Sequence, residues 1–189
     1  IAGIPGDVFI NQYLPKPEIN KVRVAKEFVK FNERCFIRLL GDMRSVNYVL
    51  EITPDFEAVQ YRVRPIDFDQ QSYHGRAKTY MAYHFDSNKV VTRMSFREMN
   101  RKTIAQYAEE ERTQMARRAR AERSRLQALL RTMEREELAP MENIIRLRNG
   151  LNRIHGTDKF TECETMGALT KRHIELMLFD PDFAYRANR

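Results

Sequence analysis

The chain has 189 residues, 42% of them hydrophobic and 31% charged, and a formal net charge of +7. Such a composition can build a core, while a mean hydropathy of -0.62 points to much exposed or elongated surface. No run of about 18 apolar residues occurs, which excludes a membrane-spanning helix as the sequence reads, and the opening IAGIPGDVFI lacks the basic region and long apolar stretch of a signal peptide. The first residue is not Met, so a processed chain or, preferably, a fragment of a longer one is expected. Cys35 and Cys163 lie far apart and are expected as reduced thiols in packed positions, which suits the cytosol or an organelle interior better than secretion. The basic charge permits tubulin, nucleic acid or an acidic protein as partner.

Residues 1–18 carry Gly3, Pro5, Gly6, Pro15 and Pro17, and read as an extended arm. Residues 19–97 read as a small α+β docking module. Within it, Ala25, Phe28, Val29, Phe36, Leu39 and Leu40 make a helical stripe that should stop at Gly41. VNYVLEIT (46–53) and AVQYRV (58–63) are strand-like, with Val59, Tyr61 and Val63 on one face and Gln60, Arg62 and Arg64 on the other. AKTYMAYHF-DSNK-VVTRMSF reads as a further hairpin. Its loop would be Asp86–Lys89, with Asn88 left-handed and Phe85, Tyr83 and Met81 facing Val90, Thr92 and Met94. His84 would point away from the apolar face.

Residues 98–138 contain no Gly and no Pro, and are rich in strong helix formers. They predict one helical arm roughly 60 Å long at about 1.5 Å per residue. On a helical wheel Ile104, Ala108, Met115, Ala119, Leu126, Leu129 and Met133 gather in a narrow, imperfect coiled-coil seam. Arg112, Arg117, Arg120, Arg123, Arg131 and Arg135 spread over the opposite face, and Arg118 and Arg125 flank the seam. Residues 139–189 read as a C-terminal helical segment. Pro140 suits a first helical turn and Gly150 a stop. TECE (161–164) has the pattern of a capping box, opening a helix to about Leu178 with Cys163, Met166, Ile174, Met177 and Leu178 on one face. The tail from Phe179 is expected to end the order. The fold class is therefore α+β: a small antiparallel sheet with a hairpin, then a long charged helix and short C-terminal helices.

No catalytic, cofactor or metal site is expected. His74, His84, His155 and His173 have no metal-like spacing, and a structural or surface role is read for His173. Cys163 stands near a helix start, but its place on the apolar stripe makes it a packed thiol. No phosphate-cradling glycine motif occurs. The expected partner-binding residues are Arg112, Arg117, Arg118, Arg120, Arg123, Arg125, Leu126, Leu129 and Met133, facing a helical or acidic protein surface. Nucleic acid ranks below protein, because Tyr107 is the helix's one ring for stacking and no nucleic-acid motif appears. A membrane surface ranks last, because few bulky apolar residues oppose the arginines.

The segments AYHFDSNKVVTRMSFRE (82–98), MEREELAPMENIIRLRNG (133–150) and LTKRHIELML (169–178) carry a resemblance. In them the chain resembles the C-terminal part of the lobo-homologue coiled-coil subunit of the nexin–dynein regulatory complex of ciliary axonemes. The resemblance covers about a quarter of the chain, and that family's transglutaminase-like region has no counterpart here. It implies a structural linker on microtubule doublets rather than an enzyme, placed in the cytoskeleton of the cilium. The leading expectation is thus a non-enzymatic structural subunit of a large assembly, with coiled-coil contacts to other proteins and with tubulin among the candidates. The alternative is an RNA-associated subunit, such as a ribosomal protein of an organelle like the mitochondrion. An enzyme comes third, to be revived by a deep pocket holding perturbed titratable groups.

Overall fold

The computed structural model describes residues 3–56, 58–135, 139–180 and 183. The chain over them is α+β: a three-stranded antiparallel sheet of order β1-β2-β3, then helices. The N-terminal segment is not an extended arm. Ile4–Pro5 (β1) pairs with β2, Gly6–Val8 (α1) makes one helical turn, and Phe9–Tyr13 continue it as a π turn. Burial of Phe9, Ile10 and Leu14 holds this segment down. A Cβ at Gly6 would collide with the Tyr48 ring, so this glycine serves close approach rather than irregularity.

Asn20 opens the first long helix, Lys21–Ile37 (α2), by accepting a hydrogen bond from the Arg23 amide at 3.1 Å. The chain then turns at Leu39, whose φ of 47° costs a non-glycine residue about 1–2 kcal/mol. Complete burial of its side chain offsets that strain. Tyr48–Thr53 (β2) and Gln60–Pro65 (β3) form the hairpin of the sheet, pairing Leu50 with Val63 and Ile52 with Tyr61. Tyr61 and Val63 are buried, as the alternation predicts, and so is Leu50, whereas Val59 precedes the strand and stays exposed. The outer edge of β3 is covered by α2. Glu27 Oε1 accepts from the Val63 amide at 3.0 Å, and Arg34 Nη2 donates to the Val63 carbonyl at 3.0 Å.

The second expected hairpin does not form. Residues 77–88 run as short 3₁₀ turns, and Lys89–Glu98 is a helix (α3). Asn88 has φ −99°, not a left-handed conformation. Its buried amide donates to the carbonyls of Met43 and Ala82 and accepts from the Tyr48 hydroxyl. Val91, Met94 and Ser95 are buried, a helical spacing that the same letters also allow to be read as alternation.

The expected single arm is three helices. α3 ends at Glu98, Asn100 caps Arg101–Ala121 (α4), and a break at Glu122 (φ −108°, ψ 31°) leads into Arg123–Arg135 (α5). No glycine or proline causes that break. Beyond the break, α5 buries Leu130 and part of Leu126 and Met133. Pro140 caps Met141–His155 (α6), and that helix passes through Gly150 to stop at Gly156, which supplies the left-handed φ of 59°. Thr165, not Thr161, caps Met166–Phe179 (α7) by accepting from the Ala168 amide. Of the tail, Phe179, Asp180 and Phe183 are described, and Phe183 is buried; the remaining tail residues and 136–138 lie outside the described residues.

Two apolar cores result, and α2 contributes to both. One gathers Phe9, Phe28, Phe31, Leu50 and Val63 between the sheet, α2 and α3. The other gathers Phe36, Ile37, Leu147, Leu151, Phe160 and Leu169 among α2, α6 and α7. α4 lies across α2 and α7, and α5 lies on α7.

Candidate functional site

Arg112 does not belong to a solvent-facing row. Its side chain is 3% exposed, with Nε 2.8 Å from Glu33 Oε1 and Nη1 3.4 Å from Glu109 Oε2. The neighbouring Glu111 is buried and faces Arg34 at 3.3 Å. Arg34 also binds Glu27 at 2.6 Å, so α2, β3 and α4 are clamped by buried charges. Arg112 is therefore a structural group and leaves the set of expected partner-binding residues.

Arg117, Arg118, Arg120, Arg123 and Arg125 are exposed, as expected. None of the five forms an ion pair among the described residues. Arg120 stacks over the Phe179 ring at 5.7 Å. Leu126 and Met133 are partly buried, and Leu129 is 57% exposed. The seam residues thus pack largely on α2 and α7 of the same chain, with Leu129 left over.

The bend at Glu122 makes this region concave. Arg118, Arg125, Leu126, Leu129 and Met133 all border one groove of about 420 Å³. Ile37, Leu130 and Ile174 form its buried apolar floor. Arg38 also lines the groove, and spacing had given no hint of it. It is half-buried; its Nε donates to the Arg34 carbonyl at 3.0 Å, and it has no carboxylate at ion-pair distance among the described residues. Burial lowers its pKa, chiefly by desolvation. Among the described residues four arginines line the groove against one acid, Glu122.

A second cavity, of about 460 Å³, lies among α2, α3 and α4. Phe28, Phe36, Phe96 and Ile104 wall it, and Glu33 and Thr92 stand at its edge. Burial pushes the Glu33 carboxyl up to about 7; Arg112 opposes the shift, and Glu109 and Glu111 add to it. One perturbed carboxyl in an apolar cavity meets part of the condition set for an enzyme. Among the described residues the cavity brings it no histidine, cysteine or second carboxylate.

His155 and His173 meet in the second core, Nε2 to Nε2 at 3.2 Å, and both are buried. His173 Nδ1 lies 3.3 Å from the Ile37 carbonyl, which can only accept. Both contacts are made when His173 carries its proton on Nδ1 and His155 donates from Nε2, which leaves the buried His155 Nδ1 without a hydrogen-bond partner among the described residues. Burial depresses both, His155 to about 4 and His173 to about 3. His173 is structural, and His84 is exposed. Cys35 and Cys163 are buried free thiols, and burial raises the Cys35 pKa to about 12. Among the described residues no group of three or more His, Cys, Asp or Glu is placed to hold a metal ion, and no helix is long and apolar enough to cross a membrane. No protein-family model, curated protein or solved structure matches this chain.

Proposed function

We propose that the chain is a non-enzymatic structural subunit of a large assembly and that it docks on another protein through the α4–α5 face. The observation that carries this reading is the unfinished packing of that face. A leucine 57% exposed stands beside an apolar groove, where Arg38, Arg118 and Arg125 make no ion pair among the described residues and Arg34 is held by Glu27 and Glu111. Docking would bury the apolar surface and give the arginines an acidic counterpart. The resemblance to the nexin–dynein regulatory subunit extends the proposal to a linker on ciliary microtubule doublets, with tubulin and helical axonemal proteins as partners.

Cross-linking of the native source material tests it. Residues 103–158 contain no lysine, so an acid-reactive or photoreactive cross-linker is required. Links from 115–133 to proteins of a large assembly are expected. RNA adducts on the arginines would replace this reading by the second, an RNA-associated subunit of an organelle ribosome. The five exposed arginines favour that second reading. It requires RNA affinity to fall steeply with salt, and less steeply in Arg117→Ala, Arg120→Ala.

A further inference from the structure

We infer that the groove inside the α4–α5 bend receives an amphipathic partner helix whose apolar stripe is flanked by carboxylates, one of which reaches Arg38. This rests on the protein-docking reading above and names its partner. Three observations carry it. The floor of Ile37, Leu130 and Ile174, with Leu129 on the rim, offers apolar seats of the kind that accept side chains at i, i+3 or i+4, and i+7 of a helix. Arg118 and Arg125 border the same groove, are exposed, and lack an ion pair among the described residues, so the groove selects an acidic partner.

Arg38 is the third. A half-buried guanidinium held by one backbone carbonyl is under-compensated. Desolvation works against its charge unless an anion reaches it. A carboxylate set between apolar anchors does so with a bidentate contact. Nucleic acid fits less well, because phosphates would leave the apolar floor uncovered. A strand fits less well too, because helices α2, α4, α5 and α7 supply nearly all of the groove, Gln71 adds one residue, and no residue of β1–β3 borders it among the described residues.

The test is fluorescence anisotropy with three labelled probes at matched salt. The first is a synthetic amphipathic peptide of roughly five helical turns, with a leucine stripe flanked by glutamates. The second replaces those glutamates with lysines, and the third is oligouridine. The glutamate peptide should bind at least about tenfold tighter than the lysine peptide. Arg38→Gln should weaken it about tenfold. Because Arg38 is half-buried, the exposed changes Arg118→Glu, Arg125→Glu and Leu129→Asp provide a second route, and each should weaken binding without unfolding the chain. Equal binding of the two peptides, or binding indifferent to all of these changes, overturns the inference. If neither peptide binds while 115–133 still cross-links to protein, the inference alone falls. Oligouridine binding without peptide binding removes the docking reading as well.

Discussion

Arg112 Nε and Glu33 Oε1 meet at 2.8 Å where α4 crosses α2, with the arginine side chain 3% exposed. Removing one partner of a buried pair leaves the other charge without compensation, which costs about 3–5 kcal/mol. Above about pH 7, where Glu33 is ionised in the fold, Arg112→Ala should therefore lower the unfolding free energy by about 3–5 kcal/mol in denaturant titrations. Arg112→Met with Glu33→Gln should recover much of the loss, since it removes both charges and keeps volume.

Glu33 also sets a pH dependence. Its folded carboxyl titrates near 7, against 4.5 for the ordinary group. Between those values the folded chain holds a proton that the unfolded chain releases. The stability it contributes is full below about 4.5 and is lost as pH rises through about 7. The unfolding free energy of Glu33→Gln, relative to that of the unaltered chain, should rise as pH climbs from about 5 to 8. A flat difference would show that Glu33 is ionised in the folded protein throughout.

The histidine pair acts with the opposite sign. Unfolded imidazoles protonate near 6.5, whereas His155 and His173 do so near 4 and 3 in the fold. The unfolded chain binds more protons across that window, so stability falls as pH drops from about 6.5 toward 4. Thermal melts should show a shallower acid-side decline in His173→Gln, whatever its absolute midpoint. An unchanged slope would remove the pair as its cause.

Gly167 is where α7 touches α5. A Cβ there would collide with the Met133 carbonyl. Gly167→Ala should cost about 1–3 kcal/mol as overpacking, and hydrogen exchange should quicken in 123–135 before it does so in α2. Uniform loss of protection would mean that α5 does not open as a unit.

Leu129 is 57% exposed, so Leu129→Asp should change stability by no more than about 0.5 kcal/mol. Combined with Leu126→Asp it should abolish incorporation into the native assembly, read by fractionation. Normal incorporation would rule out pairing through these residues.

Local physics made several elements legible in the sequence. The stripe of Phe28 and Phe36 marked α2, the alternation through Tyr61 and Val63 marked β3, and helix formers without glycine or proline marked 98–138 as helical, which holds for 101–121 and 123–135 among the described residues. Exposure of Arg117, Arg120 and Arg123 followed from the same wheel, which placed Arg118 and Arg125 beside the seam. Periodicity alone cannot decide whether VVTRMSF is strand or helix. What decided was Asn88, stapled to Met43, Ala82 and Tyr48, which no local pattern encodes.

The break at Glu122 and the burial of Arg112 were likewise beyond the sequence, because both depend on what lies across from them. The bend is stabilised by burying Leu130 among residues of α7, and Arg112 enters the interior because Glu33 of α2 faces it. Composition and period thus determined which segments are helical and which side is basic. Tertiary packing alone decided where the helix bends, which arginine is spent inside, and that Arg38 waits in a groove, since a charge's partner is set by space rather than by spacing.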